Sequence, residues 1–144
     1  MLTLDDEIWA PLPVTCDQSW NVYRALLPLA LYTPPHLYNA ILALSSRHMA
    51  IRHEGSVLEA AQFKVSAIEE LGKCLSTFDV TSDSEATAAL ATINLIVFYD
   101  SVESALGPWS VHFDGAMKLI VACGGLERFL KTQNMTRILR AFIW

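Results

Sequence analysis

Four histidines and three cysteines are the side chains through which this chain could bind a metal or attack a substrate. They are His36, His48, His53 and His112, together with Cys16, Cys74 and Cys123. A helical zinc site needs two histidines three or four residues apart, and a cysteine site needs close pairs such as CxxC. Neither spacing occurs. The sequence therefore predicts no metal, no cysteine zinc cluster and no disulfide framework.

Motifs of the common enzyme classes are also missing. The sequence contains no GxSxG turn for a nucleophilic serine and no GxGxxG or GxxxxGK[ST] loop for a phosphate. His112 and Asp114 are two residues apart and diverge on a helix, and the adjacent pair Glu69-Glu70 is typical of a solvated surface. We predict that the chain is not an enzyme, has no catalytic residue and binds no cofactor.

Five polar or aromatic side chains on the predicted helices are the candidates for a ligand pocket: Arg47, His48, Tyr99, Trp109 and His112. One interpretation places Arg47 and His48 at the mouth of an effector pocket. The other makes His48 a hydrogen-bonded core residue, pairs Arg47 with a carboxylate, and uses Trp109 and His112 to anchor the start of a helix. We favour packing, because a buried polar group needs partners whether or not a ligand exists.

The composition limits the class of protein. The chain has 144 residues, of which 53% are hydrophobic and 17% charged, and its mean hydropathy is +0.34. These values predict one folded domain rather than a disordered tail, and no apolar run reaches the roughly 18 residues of a membrane span. The net charge is −5 and the basic residues are scattered, so we expect no direct binding to nucleic acid. The first residues lack the basic start of a signal peptide, which favours an intracellular protein.

The elements that must position the candidate residues are all helices. Residues 1–16 are predicted to form an extended lead-in, and residues 17–144 an all-α, irregular array of about six helices. The expected segments are Asp17 to about Tyr32 with a kink or break at Pro28, about His36 to His53 ended by Gly55, Ser56 to about Thr77, Ser82 to Tyr99, Trp109 to Cys123, a short piece at Leu126 to Leu130, and a last helix capped by Asn134.

Hydrophobic spacing predicts which helix faces are buried. On the second helix the apolar face carries His48 among Leu37, Ile41, Leu44 and Ile51. The fourth helix is apolar almost all round, which predicts that protein surrounds it.

The third helix shows the clearest amphipathic pattern. Its apolar face consists of Leu58, Ala61, Val65, Ile68 and Leu75, with an expected Glu69–Lys73 pair on the exposed side. The final stripe of Ile138, Leu139 and Phe142 lacks a cap, and we expect the domain to be incomplete at its C-terminus.

Five segments in order resemble the fungal-specific transcription factor domain, the regulatory region of binuclear zinc-cluster transcription factors. These are residues 23–30 (YRALLPLA), 39–50 (NAILALSSRHMA), 63–71 (FKVSAIEEL), 89–98 (ALATINLIVF) and 109–116 (WSVHFDGA). The fourth segment is followed by Tyr99-Asp100 where the family pattern ends on an acidic residue. The chain lacks the six-cysteine zinc cluster of the family.

The resemblance implies an all-helical N-terminal part of a larger regulatory domain that controls transcription in the nucleus, without DNA binding of its own. Implied partners are other proteins or a second copy through apolar helical surfaces, and a small hydrophobic effector, with a role in secondary metabolism. The alternative is a stand-alone, cytoplasmic homologue that binds a hydrophobic metabolite between its helices and acts as a cyclase or isomerase. A purely structural dimerisation module is a third option.

Overall fold

A computed structural model describes residues 22–32, 34–103 and 109–131 of the chain. These residues form six α-helices and no strand, which confirms the all-α prediction. The helices are α1 (Val22–Tyr32), α2 (Pro35–Ile51), α3 (Val57–Ser76), α4 (Asp83–Glu103), α5 (Trp109–Ala122) and α6 (Leu126–Leu130). None of the described helices is long and apolar enough to cross a membrane. The predicted lead-in, the predicted start of the first helix at Asp17, and the last helix with its Asn134 cap and its stripe of Ile138, Leu139 and Phe142 lie outside the described residues.

Serine side chains begin α3 and α4, as their sequences predict. Ser56 Oγ accepts a hydrogen bond from the amide of Glu59 at 3.4 Å, and Ser82 Oγ accepts one from the amide of Glu85 at 3.3 Å. Both bonds satisfy an amide that has no partner within its own helix. The Glu85 carboxylate accepts from the amide of Asp79, at 3.1 Å, and so joins the α3–α4 loop to the first turn of α4.

The helix ends agree only in part with the sequence pattern. Gly124 and Gly125 adopt positive φ angles of 100° and 80° after α5, as expected of a glycine stop. After α2 the left-handed residue is His53, with φ of 62°, rather than Gly55. Helix α1 continues through Pro28 to Tyr32, so the proline does not break it.

The core lies around α4, which packs against α2 and α5. Its residues from Ala86 to Ile96 are all buried, and Tyr99 and Asp100 extend the buried run. The prediction of a helix surrounded by protein is therefore confirmed for α4. Helix α2 buries Leu37, Ile41 and Leu44 as predicted, whereas His48 is only half-buried and Ile51 is exposed.

Helix α3 buries a different face from the one its hydrophobic pattern predicts. The buried side carries Ala60, Ala67 and Leu71, whereas Leu58 is 69% exposed and Val65 53% exposed. Helix α3 packs most extensively on α2. Small alanine side chains let two helix backbones approach closely, which explains why they face inward. The exposed ion pair is Lys73 with Glu70, at 2.6 Å, rather than with Glu69.

Candidate functional site

Asp100, in the last turns of α4, is the centre of the one buried carboxylate site that joins three described helices. Its side chain is 2% exposed. The ammonium of Lys64 on α3 donates to Oδ1, and Nε2 of His112 on α5 lies 3.2 Å from Oδ2. The pairing with Lys64 makes the buried carboxylate tolerable, although Oδ2 accepts no hydrogen bond from the described residues. We call Lys64, Asp100 and His112 the Asp100 cluster.

Helical spacing brings these three side chains inward. Lys64 lies four residues after Ala60 and three before Ala67, so it shares the buried face of α3. His112 lies four residues before the buried Ala116 on α5, and Asp100 lies four residues after the buried Ile96 on α4. Each side chain therefore projects from the core face of its helix toward the same point.

Lys64 has two further contacts at the edge of the cluster. Its Nζ lies 4.9 Å from the centroid of the Tyr99 ring and 3.9 Å from Oε2 of Glu103. The first is a cation–π contact, which stabilises a partly desolvated ammonium. The lysine stem is mostly covered, with the side chain 21% exposed, so the charge is held at a fixed place between α3 and α4.

Tyr99 and Arg47 each contribute a buried donor without an acceptor. The Tyr99 hydroxyl and the Arg47 Nε have no hydrogen-bond partner among the described residues. Burial raises the pKa of Tyr99, the charges of Glu103 and Asp100 raise it further, and the guanidinium of Arg47 opposes them. Two buried donors without an acceptor are an unusual feature, because buried polar atoms are normally satisfied.

A second buried polar pair links α2 to α4. Nδ1 of His36 lies 2.7 Å from Oγ1 of Thr92, and that hydroxyl donates to the carbonyl of Ala88 at 2.8 Å. Because the only hydroxyl proton is used there, Nδ1 is the protonated ring nitrogen and donates to Thr92. Burial lowers the pKa of His36, with a weaker opposing effect from Glu70. The histidine is thus neutral and acts as a core hydrogen-bonding group.

Arg128 on α6 binds the N-terminal end of α4, at the opposite end from Asp100. Its guanidinium contacts Oδ1 of Asp83 at 2.6 Å and donates to the carbonyls of Thr81, at 2.7 Å, and Cys123, at 2.9 Å. It also donates to the carbonyl of Val80. A planar guanidinium suits several acceptors at once, so this residue joins the α3–α4 loop to the end of α5.

The structure brings together some of the five candidate residues. Tyr99 and His112 both adjoin Asp100, and the charge of Arg47 acts on Tyr99. His48 is half-buried, and its pKa is lowered by burial and by Arg52, against a weaker effect of Glu54. The Trp109 side chain lies outside the described residues. Whether these residues bind a ligand stays a prediction.

Sequence reasoning missed Lys64, Asp100, His36 and Thr92. The first two lie in or directly after segments that resemble the family pattern, so the resemblance contained a signal for them. His36 gave no such signal, since a histidine at the start of a helix is normally solvated. Among the described residues, no group of three or more histidine, cysteine, aspartate or glutamate side chains could hold a metal ion.

Comparison with known proteins gives one result that identifies the chain. No curated protein and no solved structure matches it. The family model described as "fungal specific transcription factor domain" matches residues 10–144, which is nearly the whole chain. The match includes all six helices and the Asp100 cluster. This chain therefore belongs to the fungal specific transcription factor domain family.

Proposed function

We propose that this chain is a regulatory domain that controls transcription by RNA polymerase II in the nucleus, through contacts with other proteins. The observation that carries the proposal is the match of the family model over residues 10–144. The domain acts without binding DNA itself, consistent with a net charge of −5 and scattered basic residues.

The Asp100 cluster supports a scaffold role within this proposal. It ties α3, α4 and α5 through one buried carboxylate, and thereby fixes the relative positions of the helices whose outer faces meet partners. A regulatory domain needs two arrangements that partners or ligands favour unequally. Breaking a buried ion pair has a high free-energy cost, so the cluster stabilises one of those arrangements.

A small hydrophobic effector is the second part of the proposal. Its contact residues are Tyr99 and Arg47, whose buried donors have no acceptor among the described residues. His112, which lies beside Asp100, and His48 are further candidates that the sequence suggested. The effector would be largely apolar and would carry one hydrogen-bond acceptor for these donors. We expect such compounds to raise the thermal unfolding midpoint of the chain, and Tyr99→Phe to reduce that rise while Tyr32→Phe, at an exposed tyrosine, does not.

A reporter assay tests the regulatory role. The chain is inserted between a heterologous DNA-binding module and a strong acidic activation segment, and transcription is measured in a fungal cell. We expect several-fold lower transcription than with an inert helical spacer of equal length. Lys64→Met should remove this effect, because it breaks the Asp100 cluster, whereas Lys73→Met, at an exposed ion pair on the same helix, should retain it. Equal transcription with the chain and with the spacer would contradict the proposal.

A further inference from the structure

The outer side of α3 is an apolar stripe that is exposed over much of its length. It consists of Leu58, Ala61, Val65, Ile68, Gly72 and Leu75, and we call it the outer stripe. Leu58, Val65, Ile68 and Leu75 are each at least 40% exposed. A Cβ placed on Gly72 would meet no atom within 4 Å, so the surface is open there as well.

The spacing of the outer stripe is that of a coiled coil. Successive members lie three, four, three, four and three residues apart, which is the a and d pattern of the heptad repeat. A stripe with this spacing stays on one side of a helix that pairs with another helix at a shallow angle. The stripe extends for 18 residues, or about 27 Å at ~1.5 Å per residue. Its shape therefore fits a second helix rather than a small molecule.

The order of side-chain sizes fits a second copy of the same helix running antiparallel. We place a two-fold axis midway between Val65 and Ile68. Val65 of each copy then faces Ile68 of the other copy. Ala61 then faces Gly72, and Leu58 faces Leu75. Small residues meet small ones, and large residues meet large ones. Parallel pairing would instead place Gly72 against Gly72 and leave that layer without side chains.

The charges beside the outer stripe agree with antiparallel pairing. Gln62, Glu69 and Ser76 flank the stripe on its outer edge. In the antiparallel arrangement Glu69 lies opposite Gln62 of the second copy, so no carboxylate meets another carboxylate. Lys64, on the inner edge, is already paired with Asp100 and is not needed across the interface. The flanks thus contain no like-charge pair that would oppose association.

We propose that this chain forms a two-fold symmetric dimer through antiparallel pairing of the outer stripes of two α3 helices. This inference goes beyond the proposed regulatory function and does not depend on it. Self-association of identical chains most often uses a two-fold axis, in which one surface patch pairs with itself. A single helix pair is a small interface, so the dimer forms reversibly at micromolar concentrations rather than permanently.

Sedimentation equilibrium of the 144-residue chain over a wide concentration range tests the proposal. The mass should rise from 16.0 kDa for one chain towards twice that value as concentration increases. Val65→Glu should weaken the dimer at least tenfold, about 1.4 kcal/mol. Val121→Glu, which makes the same change at a position 71% exposed on α5, should leave the dimer unchanged. A mass of one chain at every concentration would overturn the proposal, and so would equal weakening by the two variants.

Mixing two variants tests the antiparallel geometry. Val65→Glu and Ile68→Lys should each weaken self-association when alone. In an antiparallel mixed dimer the new glutamate faces the new lysine, and the other central layer keeps its native isoleucine and valine. The mixture should therefore recover a dimer that neither variant forms. Failure of the mixture, with both variants helical by circular dichroism, would overturn the antiparallel pairing, since in that arrangement residues 65 and 68 face each other in the same layer.

Discussion

The two sides of α3 contrast in a way that simple amphipathicity does not predict. The inner side buries two alanines, a leucine and the stem of Lys64, and it ends in the ion pair with Asp100. The outer side exposes Leu58, Val65 and other branched aliphatic residues. The more hydrophobic side of the helix therefore lies outside, and the side that contains a charged residue lies inside.

On most amphipathic helices the more hydrophobic side is also the buried side, and on α3 these two properties lie on different sides. The inner side is selected for close approach to α2, which favours small residues, and for a charge that can satisfy Asp100. The outer side is free of that spatial limit and keeps large apolar groups, which is the composition of an interaction surface. Three of four predictions test whether the inner side stabilises the fold and the outer side serves association, and the remaining one tests the buried His36–Thr92 pair between α2 and α4.

Loss of the lysine should have the largest effect. Lys64→Met should lower the free energy of unfolding by about 3 kcal/mol, because the buried carboxylate of Asp100 loses the partner that donates to it. Urea denaturation followed by circular dichroism measures this change. Lys73→Met, at an exposed pair on the same helix, should leave the midpoint where it is. Replacing both charges, in Lys64→Met with Asp100→Leu, should restore much of the loss, and a double variant as weak as the single one would contradict the explanation.

Truncation of leucines compares the two sides directly. Leu71→Ala, on the inner side, should lower the free energy of unfolding by about 2 to 3 kcal/mol, through lost burial and a residual cavity. Leu58→Ala, on the outer side, should change it by about 0.5 kcal/mol or less at concentrations where the chain is monomeric. Urea denaturation of both variants at one dilute concentration provides the test. Equal losses would show that the outer stripe is covered.

Acid should lower the stability of the fold through His36, which is buried between α2 and α4. Burial holds the pKa of His36 below its ordinary value, so the folded chain keeps this histidine neutral while the unfolded chain takes up a proton near pH 6.5. Stability is therefore complete above that pH and falls as the pH drops through it, by at most about 1.4 kcal/mol per pH unit for one proton. His36→Gln should flatten the dependence in denaturation experiments between about pH 7.5 and about pH 5.5. His48, whose pKa is also lowered, should leave a smaller slope. An unchanged slope in the variant would exclude His36 as the cause.

A charge on the outer stripe should have the smallest effect on folding. Val65→Glu should change the free energy of unfolding of the monomer by less than about 0.5 kcal/mol, because the residue is already half in water. The same variant should still weaken the proposed dimer. Thermal unfolding of a dilute sample isolates the folding effect, and a fall as large as that of Leu71→Ala would place Val65 in the core.

Much of the fold could be predicted from local patterns. The serine caps of α3 and α4 and the glycine stop after α5 depend on residues within one helical turn, and the structure contains them. The nearly uniform apolar character of α4 was enough to predict its burial. The choice of the buried side of α3 was not predictable in this way, because it depends on how closely α2 approaches. The left-handed residue after α2 is likewise His53 and not Gly55, because it is set by where α2 ends, at Ile51.

The same distinction between local pattern and helix packing applies to the candidate site. The sequence alone determined the helix content, the family resemblance and the residues Tyr99 and His112 as candidates, since these follow from local spacing and motif. Only the tertiary structure decided that Lys64, Asp100 and His112 meet, because they lie 36 and 12 residues apart along the chain, on three different helices. Side chains so far apart come together only when helices pack. A helical pattern defines which residues share a face, and the neighbouring helices decide which face is buried.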